Sequence, residues 1–330
     1  MKQDSILKEL KQELGAHRVK SNEPMRNHTS CKIGGMAIYY FEAETATDLM
    51  KAFLLSYKLH IPVYILGGGS TVLFSDKGFN GFVIKNNTRK FDIFGMSGKI
   101  ANRKLSVDKT ILYAESGVLT NQVVRFSIEH GFSGLEYQLG LPGTIGGAIV
   151  MNAGYFPRNV YLKDALFKIK ILNCQGELKE VDTTYLATTI GKSKLASCEE
   201  IIVSVTFILE AKDKAQLWER GNEASAYRAT YYPNGMSLGL AFGDISIADA
   251  MKIPTPQSIT SADFLIKNAG IKKKQIGDAM ISSLHSNFIT NNGNATALDV
   301  MNLFEEIKQS VKTKFGVSLP IQSNVIGFNE

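Results

Sequence analysis

The stretch Leu66-Gly67-Gly68-Gly69-Ser70-Thr71 sits inside IPVYILGGGSTVLFSD, between two runs of β-branched and aromatic residues. Consecutive glycines let a backbone turn and approach other groups where any side chain would block it. Successive N–H groups then form a concave anion site suited to a pyrophosphate. The setting excludes the two common glycine signatures. A dinucleotide fingerprint needs GxGxxG opening a helix, and a nucleotide-triphosphate loop needs a lysine after its glycines. Here STVLF is a strand former and no lysine follows. A second cluster, GLPGTIGGA, comes later; it holds Gly140, Pro142, Gly143, Thr144, Gly146, Gly147 and Ala148 and runs on into Met151-Asn152-Ala153-Gly154. Two such loops on adjacent domains can grip one extended dinucleotide from both sides.

The chain has 330 residues, 44% of them hydrophobic, enough for two or three domains with sizeable cores. Its first residues place Ile6, Leu7, Leu10 and Leu14 at helical spacing among charges and lack a signal peptide's apolar core. They predict an amphipathic helix in a cytosolic protein. No apolar run is long enough to span a bilayer, so no membrane partner is expected. Cys31, Cys174 and Cys198 have no metal-binding or disulfide-framework spacing and read as reduced structural thiols. A net charge of +6 suits an anionic partner such as a phosphorylated small molecule. The run Lys272-Lys273-Lys274 lacks the flanking aromatics of a single-strand binder and reads as solvated surface, so no nucleic acid is expected.

Periodicity predicts α+β structure throughout. AIYYFEA, PVYILGG, STVLFSD and GFVIKN read as strands around a helix in TATDLMKAFLLSYKLH. LSVDKTILYAESGV reads as a strand, NQVVRFSIEHG as a helix, ALFKIKILNCQGELKEVD as a hairpin turning at Gln175-Gly176, and EEIIVSVTFILEA as a long strand. A helix through Trp218 to Tyr227 leads into TYYPNGMSLGLAFGD, read as a loop. Thr296 and Asp299 fit a capping box, with Val300, Leu303, Phe304, Ile307 and Val311 along one face of the helix they open. SLPIQSNVIGF reads as a final strand.

The ordered motifs KIGG, LGGGS with DKGFNG, GFSGLE, LPGTIGGA with NAG, then GIK, IGDA, HSNFI, NATALDV, FGV and IG span nearly the whole chain. Together they resemble the UDP-N-acetylenolpyruvoylglucosamine reductases, FAD enzymes of peptidoglycan synthesis. The resemblance implies a three-domain flavoprotein of the vanillyl-alcohol-oxidase (PCMH) type with FAD between its first two domains. Residues 1–88, with the C-terminal strand 319–330, and residues 89–212 are the expected FAD-binding subdomains; residues 213–318 are the expected substrate domain. Leu66 to Thr71, Gly140 to Ala148, Asn152, Ile201, Val203 and Arg228 are the cofactor-binding positions carried over. His28 reads as an exposed loop histidine rather than a point of covalent flavin attachment.

The three catalytic groups of the family pattern are each replaced. The family's proton-donating serine falls on Leu240 in SLGLAF, and leucine has no proton to give. Its glutamate falls on Gln322 in LPIQS, with Pro320 in place of another acid, and its arginine falls on Gly191, beside Lys192. The expectation is an FAD oxidoreductase acting on another small molecule, a nucleotide-linked one being a candidate, with NAD(P)H as a candidate electron donor. Tyr231, Tyr232, Asp244, Gln322 and Lys192 are the polar candidates near its flavin. The alternatives are the family enzyme itself, taking its proton from water or Ser237, and a non-catalytic flavin-binding module.

Overall fold

A computed structural model describes residues 3–101, 104–186, 199–253 and 259–328. The chain forms two compact units, each discontinuous in sequence. The first comprises Met1–Ser21, Tyr39–Gly68 and Gly81–Arg228; the second comprises Asn22–Ile38, Gly69–Asn80 and Ala229–Glu330.

The first unit holds a four-stranded sheet in the order β1 (Val19–Pro24), β2 (Met36–Ala43), β5 (Phe79–Asn86), β3 (Val63–Leu66). Helices α1 (Gln3–Leu14) and α2 (Ala46–Lys58) accompany it, and Ile6, Leu10 and Leu14 are buried as the helical spacing predicts. The same unit has a six-stranded sheet. Its order is β12 (Leu178–Val181), β11 (Leu166–Asn173), β13 (Glu200–Ala211), β7 (Lys104–Glu115), β6 (Phe91–Ala101), with β8 (Phe132–Ser133) on β13. The ladders among β11, β13, β7 and β6 are antiparallel, and β11 turns into β12 around Gln175-Gly176. Leu112, Val124, Ile169, Phe207 and Leu209 form its core with α3 (Thr120–Glu129), α4 (Ile145–Val150) and α5 (Lys214–Tyr231). A short pair, β9 (Gly154–Tyr155) and β10 (Val160–Tyr161), follows α4.

The second unit pairs β14 (Ser237–Leu240), β17 (Phe288–Asn291), β16 (Ala279–Ile281) and β15 (Gln275–Ile276) in that order, beside α6 (Ile247–Ala250), α7 (Ala262–Asn268) and α8 (Ala297–Phe315). β4 (Val72–Phe74) and β18 (Asn324–Ile326) run parallel, Val72 opposite Asn324. Phe242 and Phe304, centroids 5.0 Å apart, sit in a core with Leu265, Leu303 and Ile307. Cys31 is buried and Cys174 half-buried, both as free thiols; Cys198 lies outside the described residues. Among the described residues no helix is long and apolar enough to cross a membrane, and no cluster of His, Cys, Asp and Glu is arranged to hold a metal.

The structure departs from the expectation in four places. TYYPNGMSLGLAFGD is no simple loop: α5 runs on to Tyr231, and β14 forms because β17 supplies a partner, Phe288 opposite Leu240. A short helix, α4, runs through the end of the second glycine cluster, over Gly146 and Gly147, where no element was expected. Only Asn324–Ile326 of the final segment is strand. His28 is not exposed: its side chain is 16% accessible, and Nε2 lies 2.8 Å from Glu23 Oε1.

The start of α8 follows the sequence signal closely. Thr296 Oγ1 accepts from the Asp299 N–H at 3.0 Å, and Asp299 Oδ2 accepts from the Thr296 N–H at 2.9 Å. Asp76 adds a second cap, accepting from the N–H groups of Ala297 and Leu298 at 2.9 and 3.1 Å. Thr296→Ala is expected to lower stability by about 1 kcal/mol. A urea midpoint unchanged from wild type would refute a stabilising role for the cap.

Candidate functional site

Leu66 ends β3 fully buried, and the two glycine loops meet directly after it. A Cβ on Gly68 would stand 2.5 Å from Gly143 Cα, and one on Gly67 would stand 2.6 Å from Thr144 Oγ1. Glycine is therefore required here by contact of one loop with the other. No acceptor among the described residues takes the N–H groups of Gly68, Gly143 or Thr144. Backbone donors at packed loops are seldom left unused, so these three suit an anionic group.

The second loop is fixed from behind. Thr120 N–H donates to Gly143 O at 3.0 Å, Ile145 N–H to Val118 O at 2.9 Å and Gly146 N–H to Ser116 O at 2.8 Å. Thr144 caps α4, its hydroxyl accepting from the Gly147 N–H at 3.3 Å. Ser116 is the hub: its N–H donates to Val203 O at 3.0 Å and its Oγ to Ile202 O at 2.6 Å, while it accepts from Asn86 Nδ2 at 2.8 Å. Ser116 thus links the Ile202–Val203 segment to the second loop. Sequence reasoning missed Ser116 and Asn86; the available signal was Ser116-Gly117 ending a strand just before a helix.

Ala148 accepts from the Ala153 N–H at 2.8 Å, folding the chain back at Asn152, whose φ is 47°. Asn152 Oδ1 is a buried acceptor with no donor among the described residues. Such an atom costs about 1–3 kcal/mol unless a partner satisfies it. Arg228 does different work from a surface anion ligand. It is 5% exposed; Nη1 donates to Tyr137 O at 3.0 Å and Leu139 O at 2.7 Å, and Nη2 to Gly154 O at 3.3 Å. Its guanidinium lies over the Tyr155 ring at 5.6 Å. Gly140 has φ 86°, a Cβ there would stand 3.6 Å from Arg228 Cδ, and its N–H donates to Asn121 Oδ1 at 2.7 Å. Arg228 therefore ties the approach to the second glycine loop to the turn after α4.

Gly69, Ser70 and Thr71 belong to the second unit. Gly69 has φ 72°, and a Cβ there would stand 2.2 Å from His28 O. Its carbonyl accepts from the Ser30 N–H at 2.9 Å, and Thr71 O accepts from the Asn324 N–H at 2.9 Å. A Cβ on Gly239 in β14 would stand 2.7 Å from Ser70 O, so this strand needs a glycine to pass.

The two described departures from the family pattern are brought together in this unit. Leu240 O accepts from Ser323 Oγ at 2.9 Å, and the Gln322 N–H donates to Ala241 O at 2.9 Å. Phe242 pairs with Ile321, and Asn287 clamps Phe242 through Oδ1 to its N–H at 2.8 Å and Nδ2 to its carbonyl at 2.7 Å. Leu240 and Gln322 are both half-buried. Neither side chain can supply a proton to a reacting carbon.

Near this pairing, Asp244 Oδ1 accepts from the Ala262 N–H at 2.9 Å. Asp244 keeps solvent access, yet the protein atoms crowded around its carboxyl push its pKa up, opposed by that hydrogen bond and by His285. His285 Nδ1 stands 3.2 Å from Asp263 Oδ1; burial pushes its pKa down, against the pull of Asp263 and Asp244. Tyr232 packs on His285 and Phe288 with centroids 5.7 and 4.8 Å away, whereas Tyr231 is exposed. Gly191 and Lys192 lie outside the described residues.

Residues 37–182 match the family model of the FAD binding domain, and residues 222–326 match that of the UDP-N-acetylenolpyruvoylglucosamine reductase C-terminal domain. The chain is 32% identical over 324 residues to UDP-N-acetylenolpyruvoylglucosamine reductase of Geobacillus kaustophilus, covering 98% of each protein. It is 31% identical to that of Clostridium tetani, covering 98% of this chain and 96% of the relative. The crystal structure of UDP-N-acetylenolpyruvylglucosamine reductase from Thermus caldophilus superposes with a TM-score of 0.72 at 28% identity, covering 94% of this chain and 99% of that one. The fold is accordingly that of an α+β FAD-binding protein, and the cofactor is FAD. The unused loop donors and the buried Asn152 acceptor fit a ligand carrying both anionic and hydrogen-bond-donating groups. With likeness running from end to end, the chain belongs to the UDP-N-acetylenolpyruvoylglucosamine reductase family.

Proposed function

We propose that this FAD-binding oxidoreductase acts on a small molecule other than the enolpyruvyl UDP-sugar named for its relatives. The observation that carries the reading is the hydrogen-bonded meeting of the Leu240 and Gln322 segments, where the family pattern has serine and glutamate. A leucine and a neutral amide supply neither a proton nor a charge, and loss of a general acid alone typically costs about 10²–10⁴-fold in rate.

When bound, FAD supplies two-electron redox chemistry. In this reading Gly67, Gly68 and Gly140 to Ala148 hold its pyrophosphate, Arg228 and Ser116 brace the second loop, and Asn152 offers an acceptor. Leu240 presents an apolar surface to the substrate. A substrate matching Leu240 and Gln322 has no anionic carboxylate at the place where relatives use glutamate and arginine. NAD(P)H is the electron donor.

Purified protein is expected to be yellow, with a flavin absorbance band, and to show NADPH oxidation no faster with the enolpyruvyl UDP-sugar than without it. A substrate-dependent increase would overturn the proposed change of substrate and favour the family reaction, with water or Ser237 giving the proton. A colourless preparation that takes up no added FAD would remove both readings.

A further inference from the structure

We infer that Lys85 is a positioning residue for the FAD pyrophosphate, acting through the Gly67–Gly68 peptide. This rests on the reading that the first glycine loop holds that group. Lys85 is on β5 opposite Leu66, the last residue of β3, and its Nζ donates to the carbonyl oxygen of Gly67. In a planar trans peptide the C=O and the following N–H point in opposite directions. Lys85 therefore fixes the Gly67 carbonyl toward β5 and turns the Gly68 N–H the other way. That N–H is one of the three loop donors with no acceptor among the described residues. A cation on the carbonyl also polarises the amide and strengthens its N–H as a donor.

The lysine is placed at a cost that an anion offsets. Burial pushes its pKa down from the ordinary 10.5, and among the described residues Glu42 is the charged group that pulls it back. Glu42 is already engaged, Oε1 accepting from Tyr40 Oη at 2.9 Å and Oε2 from Asn87 Nδ2 at 2.8 Å. Its strand neighbour Leu66, and Gly143 and Thr144 beside the Gly67–Gly68 peptide, carry no charge. A desolvated ammonium behind an anion-binding peptide is best compensated by the anion itself. Binding of FAD is then expected to raise the Lys85 pKa and draw in a proton at alkaline pH.

The test is FAD affinity by quenching of flavin fluorescence, with riboflavin, which lacks the phosphates, alongside. Lys85→Met is expected to weaken FAD binding about tenfold or more at pH 7 and to leave riboflavin nearly unchanged. Wild-type affinity should fall as pH rises through the lowered lysine pKa, below 10.5, with proton uptake on binding in calorimetry at that pH. Lys85→Arg should keep the neutral-pH affinity and lose the pH dependence and the proton uptake. Equal FAD affinity in wild type and a folded Lys85→Met, or proton uptake unchanged in Lys85→Arg, would overturn the inference. Gly68→Ala separates the underlying reading: if that variant binds FAD like wild type, the loop does not hold the pyrophosphate. If it loses FAD while Lys85→Met does not, only the role of Lys85 is wrong.

Discussion

Leu240→Ser combined with Gln322→Glu is expected to raise turnover of the enolpyruvyl UDP-sugar by about 10²-fold or more, read as NADPH oxidation. The backbone at both positions is already set. Ser323 holds the Leu240 carbonyl, the Gln322 N–H is fixed on Ala241 O, and Asn287 clamps the intervening Phe242. New side chains therefore enter a frame that the substitutions do not disturb. Each single change should do much less, because a proton donor and a charged polarising group serve the same transition state and their effects are not additive. The gain remains below the relatives' full rate while Gly191 stands at the arginine position. A double variant that keeps its flavin spectrum and shows no gain would end the claim that these two residues set the reaction apart.

Arg228→Met is expected to cost about 3–5 kcal/mol of stability, measured by urea unfolding. Methionine copies much of the stem but leaves the carbonyls of Tyr137, Leu139 and Gly154 without their shared donor. Arg228→Lys should recover less than half, since a single ammonium cannot span three acceptors in the plane of a guanidinium fork. FAD retention should fall alongside, because Arg228 braces the approach to Gly140 and the second loop. An unchanged unfolding midpoint in Arg228→Met would show that the three hydrogen bonds contribute little.

What could be read from the sequence is what is encoded locally. The Thr296 and Asp299 box, the buried face of α8, and the hairpin at Gln175-Gly176 each depend on residues within a few positions of one another. The glycine clusters were legible as points of close backbone approach, as the contacts of Gly67 and Gly68 bear out. β14 was not: Ser237–Leu240 contains a glycine at φ 76° and follows a Pro-Asn-Gly run, and only pairing with β17 makes it a strand. In α4 two glycines and a β-branched start argue against a helix, and the Thr144 cap with Ser116 O and Val118 O behind it decides otherwise. Arg228 entered only as a cofactor-binding position implied by the family resemblance, not as a brace. Its three acceptors lie 74 to 91 positions earlier, where no periodicity points to them.

The parallel pairing of β4 with β18 has a consequence for biosynthesis. Val72 leaves the ribosome well before Asn324, its partner in the ladder. At about 5–20 residues per second, β4 waits roughly 10–50 s for that partner. During that time Leu73 and Phe74, both fully buried in the finished protein, have no completed core around them. Much of the first unit is synthesised in this interval, while the second must wait for its last strand. The nascent chain therefore carries an open strand edge of the kind that chaperones bind, and its yield in cells should respond to translation rate more than its final stability would suggest.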